Sequence, residues 1–409
     1  MRILIVCINY APELISTGVY ATGLAEWMEQ NGAEIDVVTA LPYYPAWRTF
    51  EGWRRPWWKS RVSESGVRIV HCPIYVPAKP SGFKRILHYV SFAVTSFPIL
   101  IWKSIVRRPN IVFLIAPSMI SSPGVLTAAS IVKAKSWLHI QDFEIEAAFA
   151  TGLLFEEGIA GRMAKRFERW VLRRFTSVSS ISEPMTQKLR EKGVARDRIF
   201  EFRNWANLAY VQPLAGASPL KDELEIHTKY VALYSGNLAN KQGLEIIPEM
   251  ARFLSHRNDI TFAVFGDGPM RDTMERMSQD LPAIRFFPLQ SVERLSDLLG
   301  MADFHLLPQI AGAADLVLPS KLTNMLASGR PVIATTAPET ALGHEVSGAG
   351  LLVPPGDARG LANAIEYLIS APKERAELGR AARERALNRW DMEAILRDLK
   401  VQFEHVSKL

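Results

Sequence analysis

Apolar and polar positions along the first half of the chain alternate between two periods. Continuous apolar runs at 3–8 (ILIVCI), 34–40 (EIDVVTA), 67–76 (VRIVHCPIYV), 110–116 (NIVFLIA), 136–140 (SWLHI), 177–182 (SVSSIS) and 199–205 (IFEFRNW) predict strands. Segments with helical spacing lie between them, such as 19–32 (VYATGLAEWMEQNG), which ends at a glycine, and 162–175 (RMAKRFERWVLRRF). Strands buried on both faces lose the polar alternation of a half-exposed sheet, so this pattern predicts a doubly wound parallel sheet. A second series follows at 230–236, 261–268, 283–289, 303–308, 331–336 and 350–355, again with helix-length spacers. The periodicity fades at 206–228, where Pro213, Gly216 and Pro219 fall, which predicts a linker. The expected organisation is an N-terminal Rossmann-like domain over 1–205, the linker, a C-terminal Rossmann-like domain over 229–385, and a terminal helix over 386–409 packing back across the domain joint. Two such domains imply a cleft.

Length agrees with this reading, because 409 residues suit two cores of about 200 residues each better than one. Cys7 and Cys72 are the only cysteines and both sit in apolar runs, which excludes a disulfide framework and a cysteine-based metal site and suits a reducing compartment. The start of the chain reads as a short strand rather than a leader, so a cytoplasmic protein is expected. Charge changes the picture more. Residues 1–205 hold 27 Lys and Arg against 17 Asp and Glu, whereas the remainder holds 21 against 25. Within 48–108 there are 12 basic and 2 acidic residues, and five of the ten tryptophans lie between Trp47 and Trp102. Trp53, Arg54, Arg55, Trp57, Trp58, Lys59, Lys84 and Arg85 therefore form a basic and aromatic belt suited to an anionic membrane surface or to nucleic acid. The uncharged run 86–102 has the length of a short membrane span, but His88, Tyr89, Ser91, Thr95, Ser96 and Pro98 dilute it where the alternation requires a crossover helix. A buried helix or shallow interfacial insertion is expected there.

Candidate chemistry gathers at strand-to-helix junctions. The stretch 234–245 (YSGNLANKQGLE) leaves a strand through Gly236 and Asn237, then brings Lys241 before Gly243, a turn that can aim backbone N–H groups and a lysine at a diphosphate. Gly266 and Gly268 end another strand. Pro319, Ser320 and Lys321 open a helix that Gly329 ends, with Ser320 placed to cap it and Lys321 to supply a cation for an anionic ligand. An ordinary capped helix with a surface lysine accounts for that stretch equally. Carboxyl ends of parallel strands are where open α/β sheets bind ligands, so three such loops in one domain point to one site. In the first domain Gly18 opens a helix, either as a plain turn or as part of the same cleft. His139, Asp142, Glu144 and Glu146 surround a strand end. No Ser-His-Asp pattern, Walker loop or Cys/His cluster is present, and no metal site is expected.

Taken together and in this order, these motifs resemble the GT-B glycosyltransferases of family 4 over nearly the whole chain. The segment 10–39 looks like the family's opening glycine loop and helix, 234–245 like its donor-phosphate loop, and FGDGP, ASGRPVIAT and LLVPPGDARGLANAI stand where the family has them. The Trp/Arg-rich insert and the stretch 315–332 are similar to the branch that builds colanic acid, a bacterial exopolysaccharide, on a lipid carrier. The resemblance implies transfer of a sugar, fucose from GDP-fucose, from a nucleotide-sugar to a lipid-linked acceptor with retention of configuration. It implies no cofactor, no metal, no nucleic acid, and a peripheral location on the inner face of the plasma membrane. Gly18, Gly236, Asn237, Lys241, Gly243, Gly266, Gly268, Asp315, Ser320, Lys321 and Asn324 would serve the donor, and Asp142 and His139 the transferred sugar or the acceptor hydroxyl. Two departures stand out. The family's phosphate-binding arginine is Asn237 here, and its paired glutamates fall on Leu316 and Asn324, with Asp315 beside the first. Lys321 would then replace the cation lost at Asn237. The alternatives are a sugar epimerase of the same fold, or a peripheral membrane or nucleic-acid-binding protein with vestigial clefts.

Overall fold

In the computed structural model the chain divides into two units, residues 1–203 with 393–409, and residues 204–392. The structure describes all residues except 14–16, 55–56, 79–80, 151–154, 156, 207, 209, 240–241, 311–318 and 409.

The first unit is built on β1 (Arg2–Cys7), β2 (Glu34–Ala40), β3 (Lys59–Val62), β4 (Arg68–Cys72), β5 (Ile111–Ile115), β6 (Lys135–Ile140), β7 (Ser177–Ser180) and β8 (Ile199–Glu201). They form one sheet in the order β3-β4-β2-β1-β5-β6-β7-β8. Every neighbouring pair is parallel except β3 on β4, so the doubly wound expectation holds, with one antiparallel edge strand that the apolar pattern does not reveal. The run 67–76 yields only the five residues of β4 before turning. Alternate residues face opposite layers. Leu4, Val6, Val112, Leu114, Leu138 and Ile140 join Phe92, Leu100, Val125, Ala128, Val171 and Leu172 of the helices Gly82–Arg107, Ser122–Val132 and Ile159–Arg174 in one core cluster. On the other face Phe113 and Trp137 meet Phe403 of the helix Met392–Lys408, with ring centroids 5.2 and 4.9 Å away.

One buried charge cluster fixes the helix Gly82–Arg107 to the sheet. Asp36 of β2 is 4% exposed and accepts from Lys103 Nζ at 2.5 Å, Arg68 Nη2 at 3.0 Å and Arg107 Nε at 3.2 Å. Burial alone would raise its pKa, but hydrogen bonds from Arg68 and Lys103 outweigh burial and hold it below the usual carboxylate range.

The second unit carries β9 (Tyr230–Ser235), β10 (Ile260–Phe265), β11 (Ile284–Phe287), β12 (Phe304–Leu307), β13 (Val332–Thr335) and β14 (Gly350–Val353). All pairs are parallel, in the order β11-β10-β9-β12-β13-β14. The stretch expected to be a linker is built into this unit: Leu208, Val211, Leu220 and Ile226 belong to its core, and 219–223 is a short helix with Ser218 as cap. Proline and glycine masked the apolar positions there. The expected terminal helix is two helices, Pro372–Arg389 in the second unit and Met392–Lys408 in the first. In each sheet the order of strands reverses beside the first strand of the series, between β1 and β5 and between β9 and β12. The carboxyl ends of these strands are where ligands of open sheets bind.

Candidate functional site

In the second unit the loops after β9 and β10 are zipped together by their backbones. Gly236 N donates to Phe265 O at 2.9 Å, Leu238 N to Asp267 O at 2.9 Å, and Met270 N to Leu238 O at 3.0 Å. This closeness demands glycine: a Cβ on Gly266 would stand 2.0 Å from Gly236 O, and one on Gly268 would stand 2.6 Å from both Asn237 Oδ1 and Leu238 O. Gly236, Gly266 and Gly268 also have φ of 145°, 157° and 147°.

Lys321, first residue of the helix Lys321–Ala327, reaches back to this junction. Its Nζ lies 3.5 Å from the position of a Cβ on Gly236, donates to Tyr234 Oη at 2.9 Å, and sits 4.1 Å from the centroid of the Tyr234 ring. Gln242 Oε1 is 3.5 Å away. Tyr234 Oη in turn donates to Asn237 O at 2.9 Å and bonds Gln242 Oε1. No described carboxylate pairs with the ammonium, and burial pushes the Lys321 pKa down to about 7. The junction is thus a half-buried cation held by neutral groups beside glycine-rich backbone, which suits an anionic ligand. Ser320 does not cap the helix as the sequence led us to expect: its backbone is already helical and its side chain makes no capping bond. Arg271 adds structure rather than a free charge, donating to Gly266 O at 2.7 Å and pairing with Glu275.

The corresponding edge of the first unit is acidic. Glu13, 2% exposed, accepts from the Tyr43 and Tyr44 amides at 2.6 and 2.8 Å and from Asn9 Nδ2 at 2.8 Å. Thr17 Oγ1 donates to Asn9 Oδ1 at 3.4 Å, and a Cβ on Gly18 would stand 3.1 Å from Glu13 O, so Gly18 lets its helix approach the β1 loop. Glu144 accepts from the Ser118 and Met119 amides at 3.0 Å each, beyond β5, and burial raises its pKa to about 7 despite those bonds. Asp142 is exposed beyond the end of β6. A cavity of about 500 Å³ opens beyond β2 and β4, lined by Leu41, Trp47, Arg48, Arg54, Ile74 and Val76 among others.

Two family models span almost the whole chain, a glycosyl transferase 4-like domain over residues 17–205 and glycosyl transferases group 1 over residues 219–385. A protein of Escherichia coli described as a colanic acid biosynthesis glycosyl transferase, WcaI, is 38% identical over 408 residues, covering 97% of this chain and 98% of its own. The chain is a family 4 glycosyltransferase. Solved structures of GT-B enzymes share its fold: sucrose-phosphate synthase from Thermosynechococcus elongatus has a TM-score of 0.75 at 17% identity over 99% of this chain and 98% of that one. HepE from Anabaena, in complex with UDP-glucose, has a TM-score of 0.69 at 14% identity over all of both chains.

In this glycosyltransferase the structure brings together Gly236, Asn237, Gly266, Gly268 and Lys321 at one sheet edge. Gly243 lies on the same loop with φ of 62°, close to Ile310. Asn324 sits one turn into the helix and is half-buried. Lys241, Asp315 and Leu316 lie outside the described residues. His139 lies at the carboxyl end of β6 but is turned into the buried layer: it is 1% exposed, its Nδ1 lies 3.0 Å from Ser179 Oγ, and its ring packs against Phe113 and Phe202. Burial lowers its pKa to about 3, so the imidazole is neutral. In the aromatic belt Trp57 and Trp58 are exposed, while Trp53 is half-buried, packs on His71 and carries Lys59 Nζ 3.9 Å from its ring centroid. Lys84 is exposed, Arg85 lies over Trp47, and Arg55 is outside the described residues. Sequence reasoning missed Tyr234, Gln242, Glu13 and Asn9. Tyr234 and Gln242 flank the quoted glycine loop, and a polar tip at the end of a buried strand was the available signal.

Proposed function

We propose that this glycosyltransferase moves fucose from GDP-fucose to a lipid-linked oligosaccharide in the assembly of a colanic-acid-type exopolysaccharide, retaining the anomeric configuration, at the inner face of the plasma membrane. The observation that carries the donor half is the Lys321 ammonium, paired with no described carboxylate and held beside Gly236 and the tip of Tyr234. A nucleotide diphosphate placed there supplies the missing anion, and Lys321 with Lys241 and nearby backbone N–H groups stabilises the charge that grows as the glycosidic bond breaks. The proposal assigns that task to cations of the chain rather than to a metal.

Support for the acceptor half comes from the first unit. Asp142 stands exposed beyond a strand end, where it can contact the acceptor hydroxyl or the transferred sugar. The cavity with Trp47, Arg48 and Arg54 suits an anionic head group on an apolar chain, since neither arginine pairs with a described carboxylate. The polysaccharide class rests on the similarity to the Escherichia coli protein over nearly its entire length. Thermal unfolding with GDP-fucose, UDP-glucose and other nucleotide-sugars tests the donor: at about 100 times its dissociation constant the true donor raises stability by about 2.7 kcal/mol. NMR of the product then reads the anomeric configuration. Preference for a uridine or adenosine donor overturns the fucose assignment.

A further inference from the structure

The helix Gly82–Arg107 is inside out. Phe83, Leu87, Val90, Val94 and Phe97 recur three or four residues apart, with Ile101 and Ile105 continuing the stripe, and all but Ile101 are exposed, Phe83 at 77% and Val94 at 66%. The opposite side buries His88, Ser96, Lys103 and Ser104 beside Phe92 and Leu100. A helix on the surface of a soluble core does the reverse.

Its neighbours extend the stripe. Helix Ser122–Val132 touches both Gly82–Arg107 and Ile159–Arg174, and the inner residues of all three share one core cluster, so they cover one face of the sheet. Their outer sides add Ile131, Ile159, Met163 and Trp170, all exposed. Helix Ile159–Arg174 also carries Arg162, Lys165, Arg166, Arg169, Arg173 and Arg174 against one acid, Glu168, which is buried and paired with Lys192 at 2.7 Å. None of the five arginines pairs with a described carboxylate.

We propose that this three-helix layer is a bilayer-docking face lying in the membrane plane, its apolar ridge among acyl chains and its arginines on anionic head groups. The inference rests on the membrane reading above and gives it a surface and a depth. Gly82–Arg107 is long and apolar enough to cross a membrane. Its inner side, however, is clamped to the sheet and to the segment that follows β4: Lys103 pairs with Asp36, Thr95 Oγ1 donates to Pro73 O at 2.6 Å, and Ser91 Oγ accepts from Tyr75 N at 2.9 Å. A helix fastened along one side lies flat, as interfacial helices do. Trp58 joins the layer by donating its indole N–H to Thr95 O at 2.9 Å, which sets an aromatic ring at the ridge. A second copy of this chain would bring arginines against arginines, whereas an anionic bilayer neutralises them.

Cys7 and Cys72 are buried, with thiols pushed up to about 12, so an introduced surface cysteine can be labelled alone. The test labels full-length Val94→Cys, Met163→Cys and Val401→Cys with an environment-sensitive fluorophore; Val401 lies on the helix that covers the other sheet face. On vesicles of phosphatidylglycerol and phosphatidylethanolamine the labels at 94 and 163 move to an apolar environment and the label at 401 does not. Phosphatidylcholine vesicles give a weaker response. A double variant, Phe83→Ser with Ile159→Ser, lowers vesicle partition by roughly tenfold or more with nucleotide affinity unchanged. Co-sedimentation without any label response means adsorption through Trp53, Arg54, Trp57, Trp58 and Lys59, which overturns this inference and leaves the membrane reading standing. Absence of co-sedimentation overturns both. A response at 94 alone breaks the single-layer claim, and a vesicle-independent response that grows with protein concentration assigns the face to self-association instead.

Discussion

Two lysines drawn out of water, one in each unit, are held in opposite ways. Lys103 meets a carboxylate, Asp36, which also gathers Arg68 and Arg107. Lys321 meets a phenol, an amide oxygen and an aromatic face. The first arrangement is complete within the fold and fastens a helix. The second leaves a positive charge without a counter-ion among the described residues, and such a site gains most from an anion that arrives from outside. Burial with a carboxylate marks architecture here, and burial without a described one is what the donor proposal rests on.

The largest expected effect comes from making Lys103 resemble Lys321. Asp36→Asn strands a buried ammonium and should cost about 3–5 kcal/mol in denaturant unfolding. Because the native pKa of Asp36 is depressed, its contribution is present above the ordinary carboxylate range and is lost as pH falls through the native value. A loss below about 1 kcal/mol would show that the cluster does not hold the helix.

The converse change removes the Lys321 ammonium. Lys321→Ala should lower turnover or donor affinity by about 10- to 100-fold, equivalent to roughly 1.5–3 kcal/mol for a charge-assisted contact. Asn237→Arg in that background should recover part of it. Since the free enzyme's Lys321 titrates near 7, donor affinity should fall as pH rises above that value, and Lys321→Arg should flatten the profile. Wild-type kinetics in Lys321→Ala would make the lysine a structural residue after all. The smallest effect concerns the acidic edge, where Glu144 binds its proton more tightly folded than unfolded. Wild-type stability should therefore decline as pH rises from the usual carboxylate value to about 7. Glu144→Gln keeps the acceptor for Ser118 and Met119 and should be more stable than wild type at pH 8, the difference shrinking as pH falls toward the usual carboxylate value.

The strands that read clearly in sequence are those buried on both faces, where apolar residues run unbroken. β3, with the sequence KSRV, has no such run because it pairs with one neighbour at an exposed edge. The glycine loops and Lys321 were legible because close backbone approach and a cation at a strand-to-helix junction are local features. The partners of Lys321 were not, since Tyr234 lies 87 positions away and only the fold aligns them. His139 shows the limit of reading a strand end: one step along β6 from Leu138, it faces the opposite layer and is closed in by aromatic rings.

The division of the chain has a consequence for biosynthesis. The first unit is interrupted at residue 203 and resumes at 393, so the segment that covers Phe113 and Trp137 leaves the ribosome after the whole second unit. Until Leu396, Leu399 and Phe403 arrive, Phe113 and Trp137 wait without this cover while the second unit is completed. The nascent chain thus spends nearly half its synthesis with an apolar surface open, and the last helix acts as the clasp that ends that exposure.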